Sequence, residues 1–194
     1  MKSFEIAKND SGKRVDKFMA KVCPTLPQAL MYKYIRKKSI KVNKKRTEPS
    51  SRLCEGDILE AYINDEFFVS VAPKYDFLNS KASLNIVYED ENILLVDKPQ
   101  GLLVHPDKNE YNDTLIGRIQ HYLYKKGEYD PQSENSFAPA LANRIDRNTG
   151  GIVIAAKNAE ALKILCEKIK DRQIDKRYLC VVHGTPKPKT ALLE

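Results

Sequence analysis

The sequence predicts an α+β fold. A small basic helix–helix–hairpin unit occupies residues 1–62, and a mixed, mainly antiparallel sheet core with flanking helices occupies 84–194, with a linker at 63–83 between them. Three observations lead there. Apolar spacing is helical in the first forty residues and becomes strand-like from Leu84 onward. The charge is unevenly placed: residues 1–62 carry 15 Lys/Arg against 7 Asp/Glu, while the remaining 132 carry 18 against 19. Residues 63–83 are mixed in polarity and contain Pro73, and their length would permit relative motion of the two parts.

In order along the chain, Ser11 is placed to cap a helix whose apolar positions are Val15, Phe18, Met19 and Val22. The Pro24 and Pro27 pair ends it. A second helix follows with Leu30, Met31, Tyr34 and Ile35 on one side and Lys33, Arg36 and Lys37 off it. Ser39–Asn43 and Ile58–Tyr62 alternate as short strands, and a further strand is expected at Phe67–Val71. Ile86–Tyr88 and Ile93–Lys98 read as strands around a polar turn, with Leu102–Val104 extended after Gly101. Thr114 starts a helix, residues 125–139 form a long polar loop expected as a mobile rim, and Ile152–Ala156 reads as a strand buried on both faces. Asn158 caps the helix of Leu162, Leu165, Cys166 and Ile169, and Tyr178–Val182 is the final expected strand.

Composition narrows the function classes. With 194 residues, 42% hydrophobic and 30% charged, the chain has the balance of an ordinary globular protein. Its apolar runs fall short of the roughly 18 residues of a membrane span. Four scattered cysteines and three histidines form no zinc pattern, so a reducing cytoplasm and a metal-free site are expected. The block 32–46 holds Lys33, Arg36, Lys37, Lys38, Lys41, Lys44, Lys45 and Arg46 without an acid. Such a run repels itself unless counter-charge is nearby, and a polyanionic backbone is the expected partner; the alternative is a solvated helix face.

The densest polar stretch is Arg144-Ile145-Asp146-Arg147-Asn148-Thr149-Gly150-Gly151. An acid between two arginines would stay ionised, which suits a nucleophile rather than a general acid. A structural arginine–aspartate pair in a turn explains the same spacing. Paired glycines allow a close approach or an unusual backbone angle. Phosphate loops, dinucleotide fingerprints and Ser/His/Asp groupings are not found, which argues against kinases, GTPases and nicotinamide enzymes.

RIDRNTGG resembles the catalytic signature of the RNA pseudouridine synthases of the RluA type. IVYEDENILLVDKPQGLLVHP (86–106) and KRYLCVVHG (176–184) resemble two flanking motifs of that family, in the same order. The N-terminal segment is similar to a small RNA-binding domain shared with a ribosomal protein. The resemblance implies isomerisation of uridine to pseudouridine in structured RNA, most readily large-subunit ribosomal RNA, by a monomer with neither cofactor nor metal. It implies Asp146 as the catalytic residue, acting covalently or as a base in a glycal route. Arg144 would hold the nucleotide out of its helix, and Tyr178 would stack on the flipped base. Thr149 and Gly150 would support the loop, and Lys98 and Lys176 would be sheet-end or substrate contacts. Asn143 stands where many relatives have histidine, and the family's later segment is unmatched after Gly184, so a partial catalytic core is expected. A non-catalytic RNA-binding chain is the alternative.

Overall fold

The structure, a computed structural model, describes residues 1–68, 75–108, 111–185 and 187–188. Two antiparallel four-stranded sheets and four helices account for it. The first sheet contains β1 (Lys2–Glu5), β2 (Ile40–Val42), β3 (Lys45–Arg46) and β4 (Ile58–Ala61), in the order β1-β4-β2-β3. β1 was not expected from sequence; it converts the anticipated hairpin into a sheet by pairing Lys2 with Ala61 through Glu5 with Ile58. Helices α1 (Val15–Val22) and α2 (Gln28–Arg36) cover one face, burying Phe18, Met19, Met31 and Ile35 against Ile40 and Leu59. Burial of that apolar set is what holds so small a unit together, at about 25 cal/mol per Å² removed from water.

Ser11 does not cap α1. Arg14 occupies the N-cap without a side-chain bond, because residues 8–10 form a 3-10 turn and the chain leaves it through Gly12 at φ +77°. At the other end of α2, Lys38 takes φ +62° while its N–H and that of Ser39 return to the carbonyls of Ile35 and Tyr34. This is the Schellman arrangement, with lysine at the position glycine usually fills. The β2–β3 hairpin turns through Asn43 and Lys44, both at positive φ, as a two-residue turn matching strand twist requires. Asn43 is braced there, donating to Asp57 Oδ1 at 2.8 Å and accepting from Ile58 N at 2.9 Å.

The second sheet contains β5 (Ile86–Glu89), β6 (Ile93–Lys98), β7 (Ala140–Leu141) and β8 (Gly151–Ala156), ordered β5-β6-β8-β7. α3 (Leu115–Lys126) packs Leu115, Ile119 and Leu123 on Leu94, Val96, Val153 and Ala155. Thr114 caps α3 by accepting from Gly117 N, and Asn158 caps α4 (Ala159–Lys170) by accepting from Ala161 N. β8 is buried on one face only: Ile152 is 45% exposed, since α3 covers a single side. α4 buries only Ala161 and leaves Cys166 exposed, so its apolar stripe is half-covered.

Other expectations are corrected. Phe67 and Phe68 lie in a 3-10 turn packed on the first core, and the rest of the expected Phe67–Val71 strand lies outside the described residues. Tyr178–Val182 forms no strand; Leu179 and Val181 are fully exposed, because local β propensity does not supply a hydrogen-bonding neighbour. The stretch 63–83 does not behave as a free linker where it is described. Phe77 joins Tyr75, Tyr124 and Tyr129 in an aromatic cluster, Ser80 donates to the Asn112 carbonyl at 2.6 Å, and Gly117 brings α3 so close that an added Cβ would meet Ser80 Oγ at 2.2 Å. The loop after α3 is docked rather than mobile, through Glu134, Asn135 and Ser136.

Candidate active site

The signature segment leaves β7 and returns as β8, so sheet pairing fixes both of its ends. Asn143 fastens the first end by acting as a substitute strand residue. Its Oδ1 accepts from Ile154 N at 2.8 Å, and its amide donates to the Ile152 carbonyl. A hydrogen-bonding side chain is what this position uses, which accounts for asparagine there.

Lys98 fastens the middle. Its side chain is fully buried at the end of β6, and the ammonium donates to the carbonyls of Pro99 at 3.0 Å, Leu102 at 2.7 Å and Arg147 at 3.0 Å. Burial pushes the Lys98 ammonium below its ordinary pKa. Lys98 therefore has the sheet-end placement, turned away from any solvent-borne substrate. Reciprocal bonds complete the junction: Gly101 N donates to the Arg147 carbonyl at 2.8 Å, and Arg147 Nε donates to the Gly101 carbonyl at 3.0 Å. The structural arginine–aspartate pair is thus not formed, because Arg147 is committed to Gly101.

Asp146 is exposed on this braced loop. Its carbonyl accepts from Thr149 N at 3.1 Å, while among the described residues no hydrogen bond or ion pair reaches its carboxylate. Arg144 is also exposed, and His105 lies within its electrostatic reach; burial and then Arg144 push the His105 imidazole below its ordinary value. The nearness of His105 to Arg144 has no local sequence signal.

The paired glycines do different things. Gly151 has φ +132°, a conformation L side chains rarely adopt. A Cβ on Gly150 would lie 3.4 Å from the Lys98 carbonyl, an ordinary contact. Beside them is a groove of about 750 Å³ lined by Asn143, Ile145, Thr149, Gly150, Lys176 and Tyr178, among others. Asp146 and Arg144 do not line it. The structure thus gathers Thr149, Gly150, Lys176 and Tyr178 on one groove, and leaves Asp146 and Arg144 facing solvent outside it. Tyr178 is 63% exposed.

The basic block spans the end of α2, the turn after it and the β2–β3 hairpin. Lys33, Arg36, Lys37, Lys38, Lys44, Lys45 and Arg46 are exposed and enter no ion pair among the described residues. Lys41 is half-buried with its ammonium 5.3 Å from the Tyr62 ring centroid. Tyr32 and Tyr34 pack on the core.

An antiparallel α+β core thus presents the unbonded, solvent-facing carboxylate of Asp146 on a braced loop, with exposed, unpaired cations on the first unit. Comparison with known proteins specifies it further: the chain belongs to the RNA pseudouridylate synthase family, whose profile matches residues 92–193. It is 38% identical to an uncharacterized RNA pseudouridine synthase of Mycoplasma capricolum, over 92% of this chain and 58% of that protein. With a second uncharacterized RNA pseudouridine synthase, from Mycoplasma genitalium, it shares 34% identity over 93% of this chain and 56% of the relative. A ribosomal large subunit pseudouridine synthase C of Buchnera aphidicola is 32% identical over 92% of this chain and 54% of its own length. The chain spans about half the length of the curated relatives it matches.

Proposed function

We propose that the chain isomerises uridine to pseudouridine in structured RNA, with ribosomal RNA of the large subunit as substrate. The observation that carries this reading is the Asp146 carboxylate, solvent-facing and unbonded among the described residues on a loop fixed at Asn143, Arg147 and Thr149. A carboxylate that spends no lone pair on the fold is available to a ligand. Family membership supports uridine as that ligand, and the name of the Buchnera relative supports the choice of RNA.

In this reading Asp146 acts at C1′ of a uridine extruded from its helix, as a nucleophile or as the base of a glycal route. The N1–C1′ bond breaks, C5 bonds to C1′, the C5 proton leaves and N1 gains one, so nothing is consumed. Arg144, exposed beside Asp146, braces the space left by the extruded nucleotide. The exposed ring of Tyr178 stacks on the base, and Thr149, Gly150 and Lys176 line its approach. The unpaired cations from Lys33 to Arg46 supply salt-sensitive affinity by releasing counterions from the RNA. A cytoplasmic monomer is part of the same proposal.

Tritium release from 5-tritiated uridine in ribosomal RNA tests it. The chain should release tritium, and Asp146→Asn should abolish release while RNA binding persists; undiminished release by Asp146→Asn defeats the assignment. A chain that binds RNA and converts no uridine would instead be a non-catalytic binder.

A further inference from the structure

The two sheets are joined by a polar junction that neither the signature nor the basic block uses. It is built on the 3-10 turn Lys8–Asp10, just after β1, which is held by residues more than a hundred positions away. Asp10 is fully buried, and its carboxylate accepts from Lys13 Nζ at 3.0 Å, from Asn135 Nδ2 at 3.1 Å and from the Ser136 hydroxyl. Lys13 also reaches Ser136 Oγ at 2.6 Å, and Asn135 donates to the Glu5 carbonyl at 2.8 Å. Asn9 binds on both sides: its amide donates to Glu134 Oε1 at 2.7 Å, and its Oδ1 accepts from Ala159 N at 3.1 Å. That last donor is one of the unpaired N–H groups at the start of α4, so the first unit helps cap a helix of the second.

The character of the junction matters. The two apolar cores share no residue, so orientation between the sheets is set here by directional bonds. A buried carboxylate is tolerated only where its lone pairs are engaged, and the donors to Asp10 come from both sides of the junction. The packing of residues 75–81 on α3 is a second tether.

We propose that Asn9, Asp10 and Lys13, with Glu134, Asn135 and Ser136, form a latch that fixes the basic hairpin and the Asp146 loop as one rigid surface. RNA is then selected by the spacing between the stem gripped by the hairpin and the uridine offered to Asp146. The spacing rule rests on the RNA reading above; the latch itself does not. One member is imperfect: Glu134 Oε2 is buried without a partner. Burial and the neighbouring Asp10 charge push this carboxyl up, against the bond from Asn9. Glu134→Gln removes that charge while keeping an amide oxygen to accept from Asn9.

Spin labels on the native exposed Cys54 and Cys166, in a Cys180→Ser background with Cys23 buried, report the distance between the units without RNA. The unaltered latch should give one narrow distribution, and Asn135→Ala with Ser136→Ala should broaden it roughly twofold, as expected when a domain interface is released. Asp10→Ala should do the same, and Glu134→Gln should leave it narrow and raise the melting temperature. A distribution already broad with the latch intact, or unmoved by the Asn135/Ser136 pair, overturns the latch. For the spacing rule, base pairs inserted between stem and target should abolish conversion by the latched chain and be tolerated by the Asn135/Ser136 variant; equal tolerance overturns it. Distances are read without RNA, so a chain that binds no RNA defeats the RNA reading and the spacing rule, while the label data alone decide the latch.

Discussion

The ammonium of Lys98 lies 3.0 Å from the carbonyl of Arg147, the residue next to Asp146, so the end of β6 is bonded directly into the candidate catalytic loop. The buried cation supplies the donor for the Pro99 and Leu102 carbonyls, and a second donor for the Arg147 carbonyl, which Gly101 N also reaches.

Lys98→Met should therefore act through the fold. Leaving buried carbonyls unpaired costs about 1–3 kcal/mol each before relaxation, so the denaturation midpoint should fall markedly and turnover with it. If Lys98 bound substrate instead, the midpoint would hold and the Michaelis constant alone would rise.

The glycine pair gives a sharper contrast. Gly151→Ala forces a side chain into φ +132°, which costs on the order of 1–3 kcal/mol. Gly150→Ala places a Cβ at 3.4 Å from the Lys98 carbonyl and should be nearly neutral. Thermal melts of the two variants, compared side by side, check the ranking.

Lys38 and Lys44 both occupy left-handed backbone at φ +62°. Glycine there should raise stability by about 1 kcal/mol at each site, since the Cβ penalty disappears. Under the RNA reading the same variants should weaken RNA binding and lower its salt dependence. Unchanged affinity and salt slope would remove these lysines from the interface.

Acid should loosen the second sheet before general unfolding. Burial alone would raise the Glu89 carboxyl, but bonds from Lys126 at 2.7 Å, Lys157 at 3.0 Å and Tyr122 at 2.8 Å outweigh it and hold the pKa at about 2, against the ordinary 4.5. A depressed carboxylate stabilises the fold above its unfolded pKa, and that contribution is lost as the pH falls from about 4.5 towards 2. Glu89→Gln should flatten the pH dependence of the denaturation midpoint in that window.

Much of the fold was legible from local pattern. The helices of Leu115 and Ala159 start where Thr114 and Asn158 predict, because a cap needs only a side chain and an N–H three residues on. The strands Ile86–Glu89, Ile93–Lys98 and Gly151–Ala156 follow from β-branched runs between turns. Tyr178–Val182 has the same composition and forms no strand, because pairing depends on a neighbour and not on the segment. Ser11 has the chemistry of a cap and lies too early, since it closes the 3-10 turn Lys8–Asp10 and α1 begins only after Arg14.

The candidate site divides in the same way. Order and spacing of RIDRNTGG and its flanking motifs by themselves determined the family and nominated Asp146, because those are properties of the chain read in one dimension. Only the tertiary structure decided that Lys98 is a buried brace, that Arg147 serves Gly101 and leaves Asp146 unbonded, that Tyr178 lines the groove beside the signature loop, and that the 125–139 loop bolts the two sheets together. Each of those involves a partner between 46 and 130 residues away in sequence, or the absence of one, and local propensity carries no information about which distant group will arrive at hydrogen-bonding distance.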